Sequence, residues 1–253
     1  MRRAVFALWH RELVRFLRDR SRLTGSLMQP VIFYLMFSGA LHGSFKPYGM
    51  DYSVYFFAGT LAMITLFTAI FSTITVIEDR KEGFLQGVLI SPVPRAAIAL
   101  GKILGGATLA FGLAVIFLLL APFTGIDIPM DRVLMSLGVL ALLSIGVTGL
   151  GFSLAWVMDS TAGYHGIMML FLMPMLLLSG AFFPIEDAHW LISWVRHVNP
   201  MTYGVGALRH AIQGEAPGCP TFVVCLIGAV VFAVAMFALG TYVVTRRSTR
   251  DAT

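Results

Sequence analysis

The fold is decided by a stretch of 26 uncharged residues, YSVYFFAGTLAMITLFTAIFSTITVI at positions 52–77, which lies between Asp51 and Glu78. A helix of about 20 apolar residues crosses the ~30 Å hydrocarbon layer of a bilayer. Because lipid offers no hydrogen-bond partner to the backbone, a lone segment of this kind crosses as a helix. We therefore predict a transmembrane helix over residues 54–77.

Five further runs without a charged residue occur in the 253 residues, and each is at least 23 residues long. Together the six runs predict spans at 25–41, 54–77, 98–123, 133–158, 163–183 and 221–245. Only 12% of the residues are charged and 58% are hydrophobic, whereas an ordinary globular domain is about 25% charged. We expect an all-α membrane protein with six transmembrane helices, forming a single transmembrane domain over residues 1–253.

The distribution of Lys and Arg predicts the orientation. Fourteen of the 18 lie before the first span, near the loop between the second and third spans, or after the last span. The opposite side has only Lys46, Arg132, Arg196 and Arg209. Because basic residues accumulate on cytoplasmic loops, we expect a multi-pass protein of the cell inner (plasma) membrane with both termini in the cytoplasm. This topology explains the isoelectric point of 9.5 without a nucleic-acid partner.

The segment before the first span, residues 2–22, is too short to cross the membrane but is strongly patterned. Apolar side chains recur at helical spacing on one face, and arginines recur on another; these arginines are Arg11, Arg15, Arg18 and Arg22. This pattern is typical of an amphipathic helix in the headgroup layer, and it predicts an arginine face toward anionic lipid. The alternative is a basic leader that only sets the topology.

The cytoplasmic loop over residues 78–95 has the sequence EDRKEGFLQGVLISPVPR. Its charged start, its glycine and its apolar centre, stopped by Pro92 and Pro94, predict a short helix that projects from the second span and returns. An exposed patch at Phe84 and Leu85 would suit docking on a soluble partner. The alternative is a solvated loop that is rich in charge.

A second unusual segment, residues 182–210, lies on the outer side. Pro184 ends the fifth span, and a Trp-rich apolar stripe follows, including Trp190 and Trp194. Indole rings favour the headgroup level of a bilayer, and Asn199-Pro200 predicts a turn before a second short helix. We expect a pair of re-entrant helices that dip into the outer leaflet before the sixth span.

The sequence lacks the residues with which this chain could catalyse a reaction or drive transport without a partner. Ionisable residues stand at or beyond the span ends, with Lys102 nearest to a span interior, whereas ion-coupled carriers need such groups at membrane depth. Gly101-Lys102 lacks the other residues of a phosphate-binding loop, so we expect no catalytic residue, no metal ligand and no cofactor in this chain. Cys219 and Cys225, on different faces of the last helix, are interpreted as structural. Uphill transport would need energy from another chain, whereas a passive channel would not.

Two sets of residues within the spans are candidates for lining a conduit. One is a hydroxyl stripe along the second span, formed by Thr65, Thr68, Ser72 and Thr75. The other is Met169 and Met173, in a methionine-rich fifth span that could accept varied lipophilic cargo. The alternative for both sets is packing inside the protein, where such hydroxyls bond to a carbonyl one turn earlier.

Three features together resemble the type-2 ATP-binding-cassette permeases, above all the daunorubicin-resistance and nodulation-factor exporters. They are the basic amphipathic leader, the 78–95 loop followed by LGKILG at 100–105, and the motifs LSGAFFP at 178–184, NPMTY at 199–203 and LR at 208–209. The resemblance covers essentially the whole chain. It implies a homodimer, in which each copy binds a cytoplasmic ATPase that holds ATP and Mg²⁺.

The resemblance also assigns roles to residues. Coupling to the ATPase is implied for Glu78, Arg80, Glu82, Gly83, Phe84, Leu85 and Pro92. An outer gate is implied for Phe182, Phe183, Pro184, Asn199, Pro200 and Tyr203. Cargo, an amphipathic drug-like compound, lipid or lipid-linked glycan, would pass outward through the dimer interface beside spans one, two and five. Two other functions stay open: a membrane scaffold or assembly factor without transport activity, and an intramembrane enzyme, which the lack of buried acids disfavours.

Overall fold

The computed structural model describes residues 1–90, 93–185 and 189–247, and this part of the chain is mostly helical and contains no strand. The first five helices are α1 (Arg2–Arg18), α2 (Arg20–Ala40), α3 (Tyr52–Thr73), α4 (Thr75–Lys81) and α5 (Phe84–Ile90). They are followed by α6 (Arg95–Leu118), α7 (Met130–Val157), α8 (Thr161–Leu177), α9 (Trp190–Val198), α10 (Pro200–Gln213) and α11 (Phe222–Arg247).

Five helical segments in the described residues are long and apolar enough to cross a membrane: α2, α3 continued by α4, α6, α7 and α11. The predicted fifth span corresponds to α8, which is apolar but has only 17 residues. At 1.5 Å per residue this helix is about 25 Å long, less than a ~30 Å hydrocarbon layer. The predicted all-α membrane fold is confirmed, with one span shorter than expected.

The fifth span ends at Leu177 instead of residue 183 because the chain leaves the helix at a left-handed glycine. Gly180 has φ +81°, a conformation that glycine adopts without a steric penalty. The residues from Ser179 to Phe182 are nevertheless buried. Non-helical backbone at membrane depth must be enclosed by protein, and the surrounding helices provide that enclosure.

Helix α3 forms the centre of the bundle and packs against α2, α6, α7 and α10. Aromatic rings fill the space on its outer half: the rings of Phe57 and Phe117 lie 5.1 Å apart, and those of Tyr34 and Phe117 lie 5.5 Å apart. Helix α8, in contrast, lies at the edge of the bundle and exposes the side chains of Leu170 and Phe171. The two predicted conduit helices therefore differ, since α3 is enclosed and α8 is open.

The two cysteines are closer to each other than the sequence predicted. Helix α11 begins at Phe222, so Cys219 precedes it and the rule for two faces of one helix does not apply. The sulfur atoms of Cys225 and Cys219 lie 2.8 and 3.7 Å from the position that a Cβ atom on Gly206 would occupy. Both thiols therefore pack against the same point of α10, and the prediction of separate faces is wrong.

Candidate functional site

Three charged side chains are buried together where α1, α4 and α6 meet. Glu12, Asp79 and Lys102 are each less than 5% exposed. Lys102 Nζ donates to Glu12 Oε1 at 2.8 Å and to Asp79 Oδ2 at 2.5 Å, and the Thr75 hydroxyl donates to Glu12 Oε2 at 2.8 Å. Buried charges are costly unless they are paired and hydrogen-bonded. This buried triad therefore fixes the three helices relative to one another.

Two arginines of α1 complete the ring of donors around Asp79. Arg11 binds both carboxylate oxygens, with distances of 2.9 and 2.7 Å, and Arg15 Nη1 donates to Oδ1 at 2.5 Å. Burial acts to lower the pKa of the Arg11 guanidinium, but the hydrogen bond and charge of Asp79 raise it above its ordinary value. Asp79 thus accepts from three cations, and Arg11 stays charged.

The same face of α1 reaches the start of the 78–95 loop. Arg15 Nη2 lies 2.9 Å from Glu78 and 3.3 Å from Glu82, and Arg22, in the first turn of α2, pairs with Glu78 as well. The prediction that Arg11, Arg15 and Arg22 face anionic lipid is therefore wrong. Acidic side chains of this protein take the place that the sequence pattern assigned to lipid phosphates.

Two glycines of α6 allow α1 to approach closely enough for these bonds. A Cβ atom on Gly101 would lie 2.6 Å from Leu8 Cβ, and one on Gly105 would lie 2.8 Å from Glu12 Cβ. Real Cβ atoms do not come so close, so neither position accepts a larger residue without a shift of α1. The sequence GKILG at 101–105 therefore contains Lys102 of the triad and the two glycines that let α1, with Glu12, pack closely against α6.

The loop after α4 contains the predicted short helix, with a break that the sequence analysis did not place. Gly83 has φ +76° and turns the chain, and α5 follows. Leu85 is only 2% exposed, and the Phe84 ring is covered by Arg11, whose Cζ lies 3.6 Å from the ring centre. The expected exposed patch at Phe84 and Leu85 is therefore wrong, because both side chains point into the subunit.

A different face of this loop is free for a partner. Glu82 and Gln86 are exposed, Leu89 is 36% exposed and Ile90 is 86% exposed. Gln86, Leu89 and Ile90 recur at i, i+3 and i+4, which places them on one side of α5, and Glu82 stands just before the turn at Gly83. We call Glu82, Gln86, Leu89 and Ile90 the outward face of the loop.

Arg80 connects the same loop to the end of α7. Its guanidinium donates to the carbonyl oxygens of Trp156 at 2.5 Å and Met158 at 3.1 Å, and to Asp159 at 2.7 Å. These residues lead directly into α8. Arg80 is thus occupied within the subunit, and its predicted role in contacting an ATPase stays a prediction.

At the other end of the bundle, side chains fix the backbone of the outer segment. Asn199 caps α10 by accepting from the Met201 N–H at 3.0 Å, and its amide donates to the Met175 carbonyl at 2.6 Å. Tyr203 donates to the His197 carbonyl at 2.7 Å. Asn199-Pro200 therefore joins α9 and α10 to the end of α8, and the predicted pair of short helices is present.

The predicted gate aromatics pack onto spans one and two. The ring of Phe182 lies 4.9 Å from that of Phe56, and the Tyr52 hydroxyl donates to the Phe182 carbonyl at 3.0 Å. Phe183 is 43% exposed beside Phe37. Pro184 follows directly, at the edge of the described residues. Phe182 is thus enclosed, whereas Phe183 stands at the surface.

Arg209 is a central residue of the outer segment that sequence reasoning gave no role. It is 2% exposed, and its Nη2 donates to the Gly180 carbonyl at 2.9 Å. Its Cζ lies 3.9 Å from the ring centre of Tyr55, whose hydroxyl donates to the same carbonyl at 2.7 Å. The charged Arg209 side chain thus holds a neutral carbonyl, and no acidic side chain among the described residues pairs with it.

Comparison with known proteins decides the family. The profile described as ABC-2 type transporter matches residues 3–212. The chain belongs to the ABC-2 type transporter family. It is 28% identical over 252 residues to nodulation protein J of Sinorhizobium fredii, covering 95% of this chain and 92% of the relative. It is 26% identical over 214 residues to ycf38 of Cyanophora paradoxa, a protein named as a transport permease, covering 81% of this chain and 72% of that one.

Membership in the ABC-2 family confirms the resemblance found in the motifs, and it identifies the chain as a membrane transport permease component. Members of this family generally associate with an ABC ATPase, and the relatives are transport permeases, which are not enzymes themselves. The motifs that carry the resemblance coincide with the two sites described above. The first contains the triad and the 78–95 loop, and the second is organised by Asn199 and Arg209.

The candidate conduit residues of this ABC-2 permease fall into two groups. The first group is the hydroxyl stripe, and all of its side chains are buried inside the subunit: Thr65, Thr68, Ser72 and Thr75. The Thr65 hydroxyl donates to the Leu61 carbonyl, and the Ser72 hydroxyl donates to the Ala69 carbonyl. Met169 is 44% exposed, and Met173 is half-buried. In the single subunit, only the methionines of α8 reach a surface, so the structure favours packing for the hydroxyl stripe. Pro92, predicted for coupling, lies outside the described residues.

Proposed function

We propose that this chain is the permease subunit of an ATP-driven exporter that moves an amphipathic substrate outward. Two copies would assemble as a homodimer, and each would bind one cytoplasmic ATPase that holds ATP and Mg²⁺. The substrate class is a drug-like compound, a lipid or a lipid-linked glycan. One observation carries the proposal: a buried ionic link joins the 78–95 loop to α1 and α6 and leaves the outward face of that loop free.

The mechanism follows from the rigidity of this link. ATP binding would draw the two ATPases together, and the outward face would move with them. Because Asp79 is fixed to Arg11, Arg15 and Lys102, α1 and α6 would follow as one body. Arg80 would pass the same movement to the α7–α8 connection. Helix α8, at the edge of the bundle, is the span that is freest to respond.

A charge introduced into the outward face tests the ATPase contact. We expect Ile90→Asp to abolish co-purification of a co-expressed partner ABC ATPase, because a buried carboxylate would have no partner in the interface. Phe123→Asp is the matched control, since Phe123 is also 86% exposed but lies at the opposite end of the bundle. Equal ATPase binding by both variants would show that the outward face is not the docking surface.

Transport itself needs a separate measurement. Inverted membrane vesicles that contain the permease and its ATPase should accumulate a fluorescent amphipathic compound only when ATP and Mg²⁺ are added. Glu82→Lys should lower this uptake without lowering the amount of permease, because Glu82 is exposed and its pairing with Arg15 is loose at 3.3 Å. Uptake that persists without hydrolysable ATP would rule out an ATP-driven exporter and favour a passive channel.

A further inference from the structure

A groove on the cytoplasmic side of the bundle lies between α1 and α6, away from the outward face of the 78–95 loop. It has a volume of about 690 Å³, within the ~300–1,000 Å³ range of small-molecule sites. Its walls are Met1, Arg2, Val5, Phe6 and Trp9 of α1 with Leu100, Leu104 and Thr108 of α6. The α6 residues recur every fourth position, so they form one stripe along the helix.

The geometry of the groove suits a chain that follows α6 into the membrane. Helix α1 packs on the first turns of α6, and the Trp9 indole donates to the Thr108 hydroxyl at 3.1 Å. This bond fixes the indole against the wall of the groove. Leu100 and Leu104 line the adjacent part, and Phe6, which is 63% exposed, forms an open edge. The walls are therefore mainly apolar, with Arg2 as the charged member.

The charges of α1 are divided between two tasks. Arg11 and Arg15 of α1 are occupied by acidic side chains of the protein, as is Arg22 at the start of α2. Arg2 and Arg3, at the other end of the helix, are exposed and make no ion pair with any described residue. Arg2 lines the groove and Arg3 is its neighbour in the chain. Arg2 and Arg3 thus place positive charge without an ion-pair partner in the described part of the chain at the start of α1, next to the apolar side chains that line the groove.

We propose that this groove binds one anionic phospholipid of the cytoplasmic leaflet. Its acyl chain would lie against Leu100, Leu104 and the Trp9 ring, and its phosphate would contact Arg2, with Arg3 beside it. Basic residues at the membrane surface attract anionic headgroups, and the apolar walls account for the chain. The site is independent of the proposed exporter function, because it involves neither the outward face nor an ATPase.

Native mass spectrometry of the full-length permease tests the site. The protein is purified in a mild detergent with equal amounts of phosphatidylglycerol and phosphatidylcholine, and the retained lipids are counted. We expect one retained phosphatidylglycerol, and about a five-fold loss of retention for each of Arg2→Gln and Arg3→Gln. Arg18→Gln is the matched control, because Arg18 is exposed on the same helix but does not line the groove.

A second variant tests the contribution of the apolar wall to lipid binding without changing the arginine charges. Leu104→Trp should fill the groove and lower retention of phosphatidylglycerol by a similar factor, whereas Leu134→Trp, on an exposed position of α7, should not. Equal retention of the two lipids by the wild type would overturn the proposal, as would equal losses in Arg2→Gln and Arg18→Gln. Crosslinking of position 6 to the ATPase would also overturn it, since the groove would then be a protein interface.

Discussion

The two ends of the bundle each bury an arginine or lysine, but they neutralise it in opposite ways. At the end where α1, α4 and α6 meet, which we call the inner end, Lys102 has two carboxylates as partners, and the bonds join side chains from three helices. On the outer side, Arg209 has a backbone carbonyl and an aromatic ring. The first arrangement ties separate helices together through full charges. The second fixes the path of one non-helical segment with weaker, neutral partners.

This difference matches what each end would do in a transporter. A region that transmits the movement of a partner protein must be rigid. A buried polar network in which every member is paired resists distortion and provides this rigidity. A segment that opens and closes must be held with less free energy, since regions that move are drawn from the less stable part of a structure. Variants at the two ends test whether the inner end is held more strongly than the outer end.

The largest effect is expected from breaking the buried triad. Lys102→Met would remove the closer of two cations from buried Glu12, which keeps Arg11 at 3.4 Å, and one of three cations from Asp79. The loss of one partner from a buried pair costs about 3–5 kcal/mol, and we expect a loss of this size in the free energy of unfolding measured in detergent micelles. The double variant Lys102→Met with Glu12→Gln should recover part of the loss, because it removes the buried carboxylate that has lost its closest cation.

A control for this prediction uses an ion pair at the surface. Glu82→Gln weakens a contact of 3.3 Å to Arg15 at a position where the Glu82 side chain is 59% exposed. Exposed pairs contribute about 0–1 kcal/mol, so this variant should be close to the wild type. A loss for Lys102→Met no larger than that for Glu82→Gln would show that the triad does not stabilise the inner end.

The triad also shows how far the sequence can be interpreted. Gaps between charged residues predict the spans, because a helix in lipid depends on local composition alone. Charge pairing depends on which helices meet, and this information is not local. One signal was present, since Glu12 lies at i+4 from Leu8 and at i−4 from Phe16, on the buried face of α1. An acid on an apolar face predicts a buried cation, and Lys102 was the basic residue nearest to a span interior.

The orientation of α5 was missed for a similar reason. A seven-residue helix has too few positions for its apolar pattern to define one face, and Phe84, Leu85, Leu89 and Ile90 are all apolar. The turn at Gly83, with φ +76°, sets which of them point inward. The role of the left-handed glycine at 180 in ending α8 was hidden in the same way, because backbone conformation at a glycine follows from the fold around it.

The second largest effect concerns the outer end. Arg209→Met removes a charge along with its bonds, so no unpaired charge is left behind. The Gly180 carbonyl loses one of two donors, and hydrogen bonds to charged groups contribute about 1.5–3 kcal/mol. We expect a loss in the free energy of unfolding near the lower end of this range, smaller than that of Lys102→Met. A larger loss would reverse the order of the two ends.

The next prediction concerns the contact between the 78–95 loop and the connection from α7 to α8. Arg80→Ala removes bonds to Trp156, Met158 and Asp159, but the side chain is 26% exposed, so water would replace part of them. We expect a loss of about 1 kcal/mol in unfolding free energy, with ATPase binding retained and ATP-dependent uptake lowered. Lost ATPase binding would show instead that Arg80 belongs to the docking surface.

The smallest effect is expected from Tyr55→Phe, which removes one hydroxyl and keeps the ring under Arg209. The lost bond to the Gly180 carbonyl is neutral, and such bonds contribute about 0.5–1.5 kcal/mol. Tyr203→Phe is the matched control, since its hydroxyl donates to the His197 carbonyl in a more exposed position, and we expect a smaller loss there.

Combining Tyr55→Phe with Arg209→Met measures how the outer segment is held. Both side chains donate to the same carbonyl, and either one alone can satisfy it. The double variant leaves that carbonyl buried without a donor, so its loss in unfolding free energy should exceed the sum of the single losses by about 0.5–3 kcal/mol. Additive losses would mean that the two donors act separately and that the Gly180 turn is fixed by packing. The outer end would then depend on contacts between rings, and hydrogen bonds would organise only the inner end.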